Sequence, residues 1–166
     1  MKRLPLFVCA LLPAVALSST IRAHTLAERF AVSDRVALVQ VLSRTTEAQG
    51  NERNLKTFTR LLIGEDYKGS GPKEVTLVQL GGRLGNVEAR VPGDADFAVG
   101  ETALVFLHCP KSPDRCYLVA LGEGKVPLLG ADALVHDLFT GEYRREPLGR
   151  LISELKKASA ATETRR

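Results

Sequence analysis

From Ser33 to Pro147 the apolar residues of this chain come only in short runs. The segments "RVALVQV", "LKTFTRLLI", "KEVTLVQL", "TALVFLH", "CYLVAL" and "KVPLL" are each stopped by glycine, proline or a polar turn. Runs of this length, rich in valine, leucine and threonine, are strand-like. Strands at such short spacing predict a mainly β fold, a small barrel or a sandwich. "QGNERN" at 49–54 and "KGSGP" at 68–72 read as connections, and "ALVHDLFTGEYRR" as an irregular hairpin around Gly141. Helical periods occur only near the ends. Thr25 is placed to cap a short helix holding Leu26, Ala27 and Phe30, with Glu28 as its capping-box partner. Leu148, Leu151, Ile152, Leu155 and Ala158 share one face of a closing amphipathic helix that should pack on the sheet.

The glycine-rich stretch "VQLGGRLGNVEARVPGDADFAVGE" at 78–101 invites comparison with phosphate-binding loops. A dinucleotide fingerprint needs a helix to start directly after its glycines, because the phosphate sits on the amides of that helix terminus. Gly81, Gly82 and Gly85 are followed instead by Pro92, Gly93 and Gly100 with no helical period. A P-loop ending at Gly124 and Lys125 would need glycine where Val119 stands and a hydroxyl where Val126 stands. These glycines are read as β-turns and bulges, where positive φ is cheap.

The first 23 residues have the layout of a secretory signal peptide, with Lys2 and Arg3 before an apolar run from Leu4 to Leu17 and small polar residues after it. Cleavage after Ala23 is expected, with Ser18 as the other possible position. The run is too short for a membrane span of about 20 residues. Phe7 and Val8 before Cys9 do not suit a lipid-anchor signal. Three of the 23 lysines and arginines leave with the leader, so 20 basic residues face 19 acidic ones and the mature charge is +1. With basic residues scattered and no aromatic interleaving, nucleic-acid binding is not expected. One domain over 24–160, with a frayed tail at 161–166, accounts for the rest. Cys109 and Cys116 bracket a short proline-containing loop between apolar strands, and an even pair in an exported chain predicts a disulfide.

The succession "SDRVALVQV", "KTFTRLLIGEDYKGSGPKEVTLVQLGG", "PGDADFAVGETALVFL" and "CYLVALGEGK" resembles the β-core of netrin-like domains, the family that includes the tissue inhibitors of metalloproteinases. It is also similar to small exported bacterial proteins with the same order of segments. The likeness spans about residues 33–126. It implies an OB-like, netrin-like β-barrel, carrying here a short N-terminal helix and a C-terminal amphipathic one. Those inhibitors present an N-terminal cysteine to the protease zinc, whereas the mature chain here would begin "HTLAERF", so that activity does not carry over residue by residue.

No catalytic constellation is legible. There is no nucleophile elbow, His108 sits beside Cys109 as a strand-end polar residue, and His136 is adjacent to Asp137, which a strand would turn to the other face. Asp94, Asp96 and Glu101 match only the start of a calcium loop. We therefore expect an exported, non-enzymatic interaction module of the periplasm or the extracellular space, without cofactor, whose partner is a protein or another envelope component. Its candidate binding loops are Gly81, Gly82, Arg83 and Gly85, together with Asp94, Asp96 and Gly100. Alternatives are inhibition of a secreted metalloprotease, or copper bound through an N-terminal His24 completed by His108 or His136. N-terminal sequencing of the protein from its own envelope is expected to begin at His24; a chain that still starts at Met1 would remove the leader.

Overall fold

The structure, a computed structural model, describes residues 24–112, 114–137 and 140–163. The leader expected over 1–23 lies outside them. The chain is mainly β, with one helix at each end of the described fold. Helix α1 (Leu26–Val32) opens it, and Thr25 and Glu28 cap it reciprocally. At its other end Lys68 Nζ donates to the carbonyls of Phe30 and Ala31 at 2.6 and 2.7 Å, supplying positive charge where the helix leaves oxygens unpaired.

Strands β1 (Arg35–Gln49) and β2 (Asn51–Lys68) form a long hairpin, followed by β3 (Glu74–Leu80) and a small hairpin of β4 (Gly82–Leu84) and β5 (Val87–Ala89). The chain continues as β6 (Thr102–Ser112), β7 (Arg115–Leu118), a 3₁₀ turn at Leu121–Gly124, β8 (Lys125–Leu129), β9 (Asp132–His136), β10 (Tyr143–Pro147) and α2 (Leu148–Glu163). The expected connection "QGNERN" is strand except at Gly50, which alone turns the chain at φ 80°. Its polarity reflects position, because the β1–β2 hairpin here outruns the apolar core. Helix α2 runs on to Glu163, so residues 161–163 of the expected tail continue it and 164–166 lie outside the described residues.

Pairing order decides where the core sits. β1 pairs antiparallel with β2, β2 with β3, β3 in parallel with β7, β7 with β6, and β6 over Thr102–Leu107 returns to β1 over Arg35–Gln40. The outlying strands β8, β9 and β10 extend from the far edge of β6. Alternate side chains of the five-strand circuit converge on one apolar cluster of Ala37, Val39, Val41, Leu61, Ile63, Val75, Leu77, Ala103, Val105, Leu107 and Cys116, joined by Phe97 from the segment before β6. The opposite face of β1, β6, β8 and β9 meets the helices in a second cluster, with Val36, Leu104, Phe106, Val126, Ala133 and Val135 under Phe30, Leu151, Ile152 and Leu155.

Cys109 and Cys116 are joined across β6 and β7, with Cα atoms 4.3 Å apart. Closing so short a loop contributes about 2 to 3 kcal/mol in the chain-entropy account. Among the described residues no helix is long and apolar enough to cross a membrane. Leu151 is buried on the face of α2 that covers the sheet, and Leu151→Ala is expected to cost about 2 to 4 kcal/mol in urea unfolding. A loss under about half a kcal/mol, the level of an ordinary surface change, would detach that helix from the core.

Candidate functional site

Along β3 the inward positions are Val75, Leu77 and then Gln79, and along β2 they run from Ile63 and Leu61 to Thr59 and Thr57. The lining thus changes from apolar to polar toward one end of the five-strand circuit. At that end Thr57 stands opposite Gln79 on one side and Thr46 of β1 on the other. The Thr46 and Thr57 hydroxyls are 3.0 Å apart, and Thr57 Oγ1 donates to the Gly81 carbonyl at 2.8 Å. Gln79 Nε2 donates to the Ala95 carbonyl at 2.7 Å. Two buried oxygens of this polar layer, Thr59 Oγ1 and Gln79 Oε1, have no hydrogen-bond partner among the described residues.

Over this floor opens a cleft of about 590 Å³, walled by the β4–β5 hairpin on the chain before Arg90 and by the segment from Arg90 to Asp96. Glycine is required at its entrance. Gly82 lies at φ 133°, and a Cβ there would press on Thr57 Oγ1 and come within 2.6 Å of Thr46 Oγ1. Gly81, at φ 84°, gives its N–H to Leu55 O at 2.8 Å and leaves the Ala89 carbonyl no room for a side chain. The charges around the cleft are largely matched. Arg44 reaches Asp96 at 2.5 Å, and Arg90 reaches Glu88 at 2.5 Å. The Arg90 hydrogen bond, with its charge and that of Arg83, holds the Glu88 carboxyl below its ordinary value.

The 93–97 segment is held from behind. Gly122 N–H donates to Gly93 O at 2.8 Å, so close that a Cβ on Gly122 would collide with that carbonyl. Lys125 Nζ bonds Glu101 at 2.6 Å and the Asp96 carbonyl at 2.5 Å, and lies 4.6 Å from the centre of the Phe97 ring. On that far side a second cleft of about 500 Å³ runs between the 93–96 wall and His136 and Tyr143, whose rings are 5.0 Å apart. Arg29 lies at its base, bonding the carbonyls of His24 and Glu123; its Nη2 is 3.8 Å from Glu123 Oε2, an ionic contact too long for a hydrogen bond. Burial lowers the Arg29 pKa, and the Glu123 charge opposes that shift.

The expected loop residues are brought together in part. Gly81, Gly82, Arg83, Asp94 and Asp96 all line the first cleft. Gly85 lies at the tip of the β4–β5 hairpin, and Gly100 gives its N–H to Val41 O at 2.8 Å beside the start of β6; neither lines it. Arg44, Thr57, Gln79 and Lys125 were not anticipated. One signal for Gln79 was available, since its odd number puts it on the same strand face as Val75 and Leu77. Glu101, just before β6, is the partner of Lys125.

The three histidines lie on separate elements. His24 precedes α1, His108 of β6 holds Asp34 at 2.8 Å through Nδ1, and His136 of β9 faces Tyr143. Among the described residues, no group of three or more His, Cys, Asp or Glu side chains is placed to hold a metal ion. No protein-family model matches the chain, and no curated protein matches it.

Gly82→Ala is expected to destabilise the fold by about 1 to 3 kcal/mol, through both its φ and its collision with the threonine pair. Gly85→Ala, with a positive φ but open space around it, should cost about 1 kcal/mol. Equal losses in urea unfolding would show that the packing of Gly82 on the threonines does not matter.

Proposed function

We propose that this chain is an exported, non-enzymatic interaction module: an OB-like β-barrel, related in build to netrin-like domains, that holds its partner at the cleft over Thr57 and Gln79. The order β1–β2–β3–β7–β6 and back to β1, with β3 and β7 parallel, supports the barrel. OB barrels bind along one sheet face and the loops beside it. The observation that carries the proposal is the meeting of the Gly81–Arg83 and Asp94–Asp96 segments over a polar floor at one mouth of the strand circuit.

Export is supported by the Cys109–Cys116 bridge, since structural disulfides persist in oxidising compartments. The bridge also consumes the two cysteine thiols of the mature chain, which favours binding over thiol chemistry. Photo-crosslinking in the native envelope tests the assignment. A benzophenone amino acid at position 83 or 96 is expected to give a discrete adduct that the same probe at Lys156, on the exposed side of α2, does not. Adducts of equal yield from all three positions, or none from 83 and 96, would overturn it.

A further inference from the structure

We infer that the second cleft, between the 93–96 wall and the β9–β10 hairpin, takes an arylalkyl amine, with its ammonium group on Asp94 and its ring against His136 and Tyr143. This site is separate from the cleft over Thr57 and Gln79. The charge of the ligand follows from which lining charges are already matched. Arg29 faces Glu123 across 3.8 Å, Lys125 Nζ lies 2.6 Å from Glu101, and Arg44 reaches the Asp96 carboxylate from the first cleft. Asp94 is half-buried and enters no ion pair among the described residues; its Oδ1 accepts the N–H of its neighbour Ala95 at 2.8 Å. One unmatched negative charge is complementary to a monocation. An anion finds no free cation here, because Arg29 and Lys125 are engaged, and a zwitterion would bury its carboxylate without a partner.

The body of the ligand follows from the opposite wall. Tyr143 stands across from His136 in the register of β9 and β10, their rings 5.0 Å apart, and Tyr143 is 65% exposed. A tyrosine left so open buries its ring face only when another group lies on it, and an aromatic group stacks there best. Leu134, two residues before His136 and so on the same strand face, and Pro127 of β8 continue the apolar lining. The cleft thus sets an acid on one wall and rings on the other, with apolar side chains beside them. A cationic head joined to a planar apolar body matches that order, and about 500 Å³ falls within the range of small-molecule sites.

The chain contains no tryptophan, so indole fluorescence reports on the ligand alone. The test titrates tryptamine, tryptophol and tryptophan with the full mature chain, and amide NMR shifts locate the site. Tryptamine is expected to bind saturably with a Kd of about 1 mM or tighter, and the alcohol and the amino acid at least about tenfold more weakly, a difference of about 1.4 kcal/mol. Shifts should fall on Leu134, His136 and Tyr143. Asp94→Asn should bring tryptamine down to the level of tryptophol, while Tyr143→Ala should weaken amine and alcohol alike, by about fivefold, and Tyr143→Phe should leave both unchanged. These variants should keep the wild-type melting temperature, because asparagine retains the acceptor for the Ala95 N–H and Tyr143 lies exposed on an edge strand. Absence of saturable binding up to about 10 mM, a preference for the amine that survives Asp94→Asn, or affinity unchanged in Tyr143→Ala would overturn the assignment. Shifts confined to Gly82 and Arg83 would overturn it too, by seating the amine in the first cleft.

Discussion

The fold depends on the double burial of β6. Residues Ala103, Leu104, Val105, Phe106 and Leu107 are all 0% exposed, although a strand in a two-layer fold commonly has one wet face. Ala103, Val105 and Leu107 fill the cluster inside the strand circuit, while Leu104 and Phe106 fill the one beneath the helices. One edge of the strand is taken by β1. The other is divided, with β8 pairing to its first half and β7 to its second. Every other layer therefore takes its position from this strand. A polar residue anywhere in "ALVFL" would remove apolar contacts from one of the two cores and leave a buried group without a partner.

The two ends of the strand circuit are closed differently, and that difference produces the cleft. At one end Arg35, with a side chain 4% exposed, grips both oxygens of Asp66 at 2.6 and 2.9 Å and also bonds the Pro72 carbonyl at 2.9 Å. Such a fork pairs the buried charge and gives each guanidinium nitrogen a partner, which offsets much of the cost of burying it. It ties the entry of β1 to the exit of β2 and the turn that follows. At the other end no such plug exists among the described residues. The inward positions pass from leucine and valine to threonine and glutamine, with two oxygens unpaired, and the chain folds over them as separate walls.

Much of this was legible in the sequence. The capping box at Thr25, the apolar face of the closing helix and the cysteine bridge all follow from local spacing, and all are present. The glycine-rich stretch was correctly denied a helix, because Pro92, Gly93 and Gly100 allow none. What escaped was long-range. "QGNERN" looked like a connection because polar composition marks both loops and strands that extend past a core, and only the pairing partner tells them apart. Gln79 is polar in composition, yet its parity with Val75 and Leu77 places it inward. Lys125 and Glu101 carry opposite charges 24 positions apart, and nothing local announces that they meet.

The last constraint concerns the wall between the two clefts. Ala120 and Leu121 both hold positive φ, at 58° and 52°, without being glycine. Such residues cost on the order of 1 to 2 kcal/mol each and persist only where their surroundings fix them. Here the turn they make delivers Gly122 to the Gly93 carbonyl and starts the strand that carries Lys125 to Glu101 and Asp96. Strain in one segment thus positions another, and the 93–96 wall stands formed before any ligand arrives. A partner meeting a preformed wall loses less free energy to ordering than one that must organise a loose loop. Because Asp94 and Asp96 line both clefts, any displacement of this wall by a ligand on one side also reshapes the surface offered beside His136 and Tyr143 on the other.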